Sequence, residues 1–300
     1  MTACVHDHSR WGAGDQVGAG NLLTPERRLA ALSLVREGRL LDLSHAIETG
    51  APRIDPPQDP YVITISANSR NGVRRRRALG ATNDAGTNLE RIEMTTHVGT
   101  HIDALGHCSI GDRLYNGFSA DEVVGDRGLT HLGVEHIPPI VERGVLLDVA
   151  GLDGGAHLER GRAVTADDLK RVADRAGVTV AEGDVVCIRT GWGRFFMADN
   201  ARYLSGEPGV ELGAARWLTE RGVVAIGCDN MAVEVVPGTD HPRTILPVHQ
   251  HALAEAGVYL IENLALEEAA AQALSAFCFV LLPVKFKGAT GCPVRPVAML

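Results

Sequence analysis

Short apolar runs alternate with amphipathic stretches along most of the 300-residue chain. Leu40–His45, Val145–Val149, Asp184–Thr190, Val223–Gly227, Val258–Ile261 and Phe277–Leu282 read as strands. Tyr61–Ser66 alternates apolar and polar side chains, the pattern of a strand with one face covered, and Leu89–Thr96 reads as another strand. Helices are predicted between them. One runs over Thr24–Glu37, with Thr24 as cap, Pro25 in the first turn and Gly38 as stop. A second runs from the cap Thr165 to Ala176, with Asp168 in the capping-box position and Gly177 as stop. Ala214–Glu220, Pro247–Ala256 and Leu266–Leu274 complete the set. Gly50–Pro60 holds four prolines and reads as a loop of the kind that carries binding residues. Asn68–Asn88, rich in Gly, Asn and Arg, reads as a mobile excursion, and Phe277–Leu282 reads as the strand that closes the chain. Apolar strands separated by helices imply a sheet covered on both faces. The pattern therefore predicts an α/β fold in one domain, residues 1–300, with residues 1–38 as an N-terminal extension.

One stretch does not fit a purely structural pattern. His97-Val-Gly-Thr-His101-Ile-Asp103-Ala-Leu-Gly-His107 places three histidines and an aspartate on odd positions. On an extended segment these share one face, whereas on a helix Asp103 and His107 swing away from His97 and His101. A straight strand would hold His97 and His101 about 13 Å apart, at about 3.3 Å per residue. Ligands bond one metal ion at about 2.0–2.2 Å, so the chain must bend between them. Gly99 and Gly106 are the residues that allow it. Imidazole and carboxylate suit Zn, Mn or Fe(II), and three protein ligands leave positions open for water and substrate, as in catalytic sites.

The motif resembles the signature of the metal-dependent cyclase/hydrolase family, which includes bacterial kynurenine formamidase (arylformamidase) and isatin hydrolase. The continuation His107-Cys-Ser-Ile-Gly-Asp-Arg-Leu-Tyr-Asn-Gly117, with Trp11-Gly12 and Asn21-Leu-Leu-Thr-Pro-Glu26, is similar to a longer cyclase branch of it. Leu105 and Cys108 stand where formamidase-like members carry Pro and an aromatic, a departure that bears on the substrate and leaves the metal untouched. The resemblance implies the swivelling β/β/α architecture, a homodimer or higher homo-oligomer, and His107 as acid/base. In arylformamidases a histidine and a glutamate from the region of His249 and Glu262 help bind a second metal, and in isatin hydrolases the corresponding positions line a single-metal site. His249 and Glu262, thirteen residues apart on a predicted helix and at the next strand's end, can return to one rim and are candidates for either role. His251 is the competing histidine. Asp229, at another strand end, is a third candidate, and Trp192 is a candidate wall residue.

Composition narrows the function further. The net charge of −8 argues against a nucleic-acid partner, and Arg74–Arg77 is the one basic cluster. It reads as a solvated loop or as an interface or lid element that meets an anionic group. The first eleven residues hold no apolar signal core, and Phe277–Val284 is too short to span a bilayer. Six cysteines (Cys4, Cys108, Cys187, Cys228, Cys278, Cys292) without a CxxC pair suit a reduced, cytoplasmic protein. A nucleophilic role is open to Cys108, and nothing in the sequence demands one. The expected function is hydrolysis of an amide, lactam, N-formyl, ester or lactone bond in a small cyclic or aryl substrate. Water would be activated by one or two Zn or Mn ions on His97, His101 and Asp103, with His107 moving the proton. The alternatives are metal-assisted ring closure of a polyketide-like substrate and a non-catalytic metal- or ligand-binding protein.

Overall fold

The apolar runs pair as their composition requires. In the computed structural model, residues 8–238 and 244–300 are described. Cys4 and most of the polar N-terminal segment lie outside them. In chain order the strands used below are Leu40–Asp42 (β1), Val62–Ala67 (β2), Leu89–Glu93 (β3), His101–Asp103 (β4), Ile140–Asp148 (β5), Val185–Arg189 (β6), Ala225–Cys228 (β7), Tyr259–Glu262 (β8), Ala276–Leu281 (β9), Gly291–Pro293 (β10) and Val297–Met299 (β11). β5, β6, β7 and β8 are parallel neighbours. Every residue of β6, β7 and β8 is buried, which explains why these strands are near-continuous Val/Ile/Leu runs. The nine-stranded sheet has the order β1-β11-β9-β5-β6-β7-β8-β4-β10 and is antiparallel outside its central four strands. The fold is mixed α/β.

Two strands escape the sequence pattern. β9 does not close the chain, because β10 and β11 follow it. Each is three residues long, and β10 is Gly-Cys-Pro, so neither offers a run long enough to be read. β10 lies beside β4 and β11 joins β1 to β9, so the last residues complete both ends of the sheet.

The helices used below are Pro25–Leu32 (α1), Ser69–Ala78 (α2), Ala166–Ala176 (α3), Leu212–Thr219 (α4), Pro247–His249 (α5) and Glu267–Ala271 (α6). α1 is capped by Thr24 but stops short of Glu37, because the N–H groups of Glu37 and Gly38 donate to the Leu300 carbonyl instead. α3 carries the reciprocal capping box of Thr165 and Asp168 and ends at Gly177 in the left-handed region. α5 continues as a π-helix over Gln250–Ala256.

Asn68–Asn88 is not an unstructured excursion. Asn68 caps α2 by accepting from the Asn71 N–H, and Arg75–Arg77 fill the last turn, where cations oppose the helix's negative end. Arg74–Arg77 is therefore helical rather than a loop. α2 buries no residue, so it shows no apolar stripe from which a helix could be read. Among the described residues β2 and β3 pair only with each other, and no residue from 53 to 97 is buried. No helix among the described residues is long and apolar enough to cross a membrane.

Candidate metal centre

β4 is held between β8 and β10, and this fixes the facing of the site. His101 lies opposite Glu262 of β8, and Asp103 opposite Leu260, so His101, Asp103 and Glu262 share a face. The chain bends between His97 and His101 at Gly99, whose φ is +70° and where a Cβ would lie 2.6 Å from Ile47. Gly106 is needed for a different reason. It has no positive φ, but a Cβ there would collide with Leu129. Gly291 in β10 leaves room for the His97 ring, which any side chain would strike.

The Gly99 turn is bolted down by hydrogen bonds. His101 Nδ1 donates to the Gly99 carbonyl at 2.8 Å, and Asn263 Nδ2 donates to the same oxygen at 3.0 Å. The Tyr203 hydroxyl donates to Asn263 Oδ1 at 2.6 Å, and Thr100 Oγ1 donates to the Asn263 carbonyl at 2.6 Å. With its Nδ1 so engaged, His101 turns Nε2 into the cluster, 3.2 Å from Glu262 Oε2 and 3.5 Å from Asp103 Oδ1. His97 pairs Nε2 with Thr290 Oγ1 at 2.9 Å and places Nδ1 2.8 Å from Asp103 Oδ1. The His107 ring stacks on His97 at 4.1 Å. His249 ends α5. Its Nδ1 lies 2.6 Å from Glu234 Oε1, and its Nε2 lies 3.2 Å from Glu262 Oε1 and 3.7 Å from Asp103 Oδ2.

The electrostatics call for positive charge. Asp103, Glu262 and Glu234 are three buried carboxylates. His101 Nε2 and both Asp103 oxygens are buried with no hydrogen-bond partner, and each such group costs about 1–3 kcal/mol if it stays unpaired. Burial disfavours a charged His101 ring, but Asp103 and Glu262 outweigh it and raise the group to about 10. Burial opposes the Asp103 charge as well, yet the neighbouring His107 and His97 hold it well below the usual carboxylate range. His249 is likewise raised, with burial overcome by Glu234 and Glu262. His107 goes the other way, since burial lowers it to about 4. Imidazole nitrogens and carboxylate oxygens orphaned around one point fit a divalent ion. Two groups, His97–Asp103–His107 and His101–Asp103–Glu262, each bring their ligand atoms within 4.8 Å of one another, and Asp103 belongs to both.

The structure thus brings His97, His101, Asp103, His107, His249 and Glu262 together. The other candidates lie elsewhere. His251 faces away, between Glu255 Oε2 at 2.7 Å and Thr219 Oγ1 at 2.8 Å. Asp229 accepts from the Thr190 and Gly191 N–H groups and the Thr190 hydroxyl, so it locks the end of β6. Trp192 is 1 % exposed in a core cluster with Val98 and Tyr203 and donates its indole N–H to the Tyr203 carbonyl. Burial raises the Cys108 thiol, which keeps it protonated at neutral pH. Arg74–Arg77 lie on α2, outside the cluster. Three residues that orient the site were not legible beforehand. They are Glu234, which accepts from the Val248 and His249 N–H groups as well as pairing with the His249 ring, together with Thr290 and Asn263. The signal for Glu234 was a lone carboxylate inside the apolar run Ala232–Val236.

The chain is similar to known proteins in fold and over part of its sequence. The family model described as "Putative cyclase" matches residues 41–235. The crystal structure of a protein described as a novel cyclase aligns with a TM-score of 0.87 at 29% identity, covering 98% of this chain and 97% of its own. Isatin hydrolase A from Labrenzia aggregata, bound to benzyl benzoate, aligns with a TM-score of 0.64 at 22% identity, covering 92% and 99%. An isatin hydrolase bound to the product analogue thioisatinate aligns with a TM-score of 0.64 at 17% identity, covering 93% and 99%. No curated protein sequence gives a significant match.

Proposed function

The chain belongs to the "Putative cyclase" family, and from that premise we propose that it is a metal-dependent hydrolase acting on a C–N or ester bond of a small cyclic or aryl substrate. The observation that carries the reading is the convergence of four histidines and two carboxylates around buried, unpaired donor atoms of His101 and Asp103. His97, His101 and Asp103 hold a divalent ion, Zn or Mn, and His249 and Glu262 either hold a second or wall the first. The shared position of Asp103 is compatible with both arrangements. A divalent ion in such a site lowers the pKa of a water from about 15.7 toward 7 and polarises a carbonyl.

The chain's own residues do the rest. His107, kept neutral at pH 7 by burial, offers a lone pair to the attacking water's proton and returns that proton to the departing amine or alkoxide. Its stacking on His97 holds the ring in place for both transfers. Glu234 fixes the His249 ring through Nδ1 and thereby aims Nε2 at Glu262 and Asp103. The fold neighbours bound to benzyl benzoate and thioisatinate favour an aromatic ring fused to, or carrying, the scissile bond. The family's name keeps ring closure as the second reading, with the same residues in the same places.

The test is metal content by mass spectrometry on untagged protein, wild type beside His101→Ala, followed by a screen of lactams, N-formyl anilines and isatin-like rings. Near-stoichiometric Zn or Mn that the variant loses, with base uptake on turnover, supports the proposal. A mass-neutral or dehydrated product transfers it to ring closure. Wild type that is metal-free and cannot be reconstituted sinks it.

A further inference from the structure

The metal chemistry leaves two stretches of the sequence unused, the N-terminal run from Gly12 to Leu22 and the turn Tyr115-Asn116-Gly117. The fold joins them. Asp15 gathers four donors on one carboxylate. Its Oδ1 accepts from the Val17 N–H at 3.2 Å and from Asn21 Nδ2 at 2.8 Å. Its Oδ2 accepts from the Gly18 N–H at 2.9 Å and from the Tyr115 hydroxyl at 2.8 Å. Asn116 answers from the other side. Held in the left-handed region at φ +55°, it shares its Nδ2 donors among the carbonyls of Gly12, Ala13 and Asp15 at 3.0–3.1 Å.

The same run reaches both segments that deliver histidines to the cluster. On the His107 side, Gln16 Oε1 accepts from the Leu132 N–H at 3.0 Å, and the Leu132 carbonyl accepts from the Gly106 N–H at 3.1 Å. On the His249 side, the seven-residue π-helix that continues α5 is followed by Gly257. The Gly257 carbonyl accepts from the Ala19 N–H at 2.7 Å, and the Tyr259 hydroxyl donates to the Val17 carbonyl at 2.5 Å. Gln250 Nε2 closes the triangle by donating to the Ser109 carbonyl at 3.1 Å. The packing is tight as well. A Cβ on Gly18 would lie 2.3 Å from the Gly257 carbonyl oxygen and 2.9 Å from Leu105, and one on Gly257 would lie 2.4 Å from the Tyr115 ring. The run buries only Gly18, Ala19 and Gly20 of its 3-10 turn, so little apolar area holds it and its polar bonds carry the attachment. A π-helix is uncommon, and most occur where a functional side chain must be aimed.

We propose that residues 12–22 are a strap that keeps the His107 loop and the His249 π-helix in register at the cluster, with Asp15 and Asn116 as the positioning residues that fasten it. Its effect on metal affinity rests on the metal-centre reading given above. No hydrogen bond among the described residues joins the strap to either ring. It acts on His107 through Gly106 and the Tyr115 turn, and on His249 through the far end of the π-helix. When Asp15 is lost, the Tyr115 hydroxyl and the Gly18 N–H lose their acceptor together, and the strap, the turn and the π-helix become free to shift against one another.

The experiment uses the full chain and two measurements, hydrogen exchange by mass spectrometry on metal-free protein and Zn binding by competition with a fluorescent chelator. Asp15→Ala should speed exchange in peptides over residues 104–117 and 247–259 while β6 and β7 stay protected. It should raise the Zn dissociation constant about 10-fold at unchanged stoichiometry, the lower end of what losing an orienting partner does. Asp15→Asn, whose amide oxygen still accepts, should recover part of both. Asn116→Gly keeps the left-handed turn and removes only the side chain, so it should move both readings the same way even if Asp15→Ala does not fold. Asp168→Ala is the control for general loosening. It breaks the capping box of α3 and should lower thermal stability without changing Zn affinity. Wild-type affinity and exchange in Asn116→Gly and in any folded Asp15→Ala, or a loss of affinity that Asp168→Ala matches, overturns the proposal. If the wild type takes up no metal, the metal reading falls, while faster exchange over 104–117 and 247–259 in the strap variants still upholds the strap and unchanged exchange overturns it.

Discussion

Two neighbouring stretches of this chain are built in opposite ways. Thr100, His101, Ile102 and Asp103 are each no more than 1% exposed, and every side chain among them is held by a strand partner, a turn or another side chain. A few residues earlier, residues 62–93, an arm made of β2, α2 and β3, have no buried side chain and are held by their own ladder, the Asn68 cap and a few arginine contacts. Both stretches contain strands with side chains on alternating faces. In the first, the fold supplies a cover for each face. In the second, the apolar face has no cover within the copy. Substitutions in the first stretch should therefore remove metal and stability, whereas substitutions in the second should leave both in place.

The largest separation is expected from Asp103→Asn. The change keeps the shape but takes the one carboxylate common to both ligand groups. Bound metal should fall to background by mass spectrometry. Turnover should fall by more than about 10⁴, beyond the 10²–10⁴ typical of losing an acid–base group alone. Ile65→Glu should show the reverse, with full metal content and wild-type turnover. If Ile65→Glu empties the site, the two stretches are not independent.

Next in size is Glu234. Its carboxylate holds both the backbone and the ring of His249, and removing such a partner typically weakens metal binding about 10- to 100-fold. Competition with a fluorescent chelator should find this for Glu234→Ala, with Glu234→Gln recovering part of it because the amide oxygen still accepts. A Glu234→Ala protein that binds metal as wild type does would leave His249 outside the ligand set.

How much of this was readable beforehand depends on what each feature looks like in one dimension. The three central strands β6, β7 and β8 declared themselves because a strand buried on both faces is a continuous apolar run, whereas only the apolar second half of β5 was readable. The capping box at Thr165–Asp168 and the stop at Gly177 are local and were visible as such. The bend at Gly99 followed from ligand spacing alone. β10 was hidden, although it seats His97 and flanks Asp103, because its three residues carry no period. α2 was hidden because a helix with no buried face has no stripe. Glu234 was hidden because its role depends on where a turn with φ of +58° at Val233 delivers it, fifteen residues from its histidine.

A pair of glycines sharpens the contrast at a smaller scale. Gly99 and Gly80 both have positive φ, +70° and +89°. An alanine at Gly99 meets Ile47 as well as the backbone strain, whereas one at Gly80 has open space around it. Gly99→Ala should therefore cost about 1–3 kcal/mol in chemical denaturation and lower metal occupancy. Gly80→Ala should cost about 1 kcal/mol at most, confined to the arm, and leave the main transition in place. Equal losses would mean that the arm unfolds together with the body.

The smallest effect is a pH dependence at the seam between the site and the core. His45 donates its backbone N–H to Thr100 Oγ1, and its ring stacks on Phe196 at 4.4 Å. Burial lowers the ring's pKa from 6.5 to about 4, opposed only in part by its hydrogen bond to the Leu264 backbone. The folded chain therefore resists a proton that the unfolded chain accepts. Above about pH 6.5 both states hold a neutral ring and the stability is complete, and it drains away as the pH falls from there toward 4. The arm holds no histidine and cannot contribute. Thermal unfolding of apo-protein across that window should fall less steeply for His45→Gln than for wild type. Chelating the metal beforehand keeps the His101 and His249 ligands from adding a metal-linked slope of their own. If the two curves run parallel from pH 6.5 to pH 4, the ring at position 45 is hydrated in solution and the packing beneath Thr100 is looser than its contacts imply.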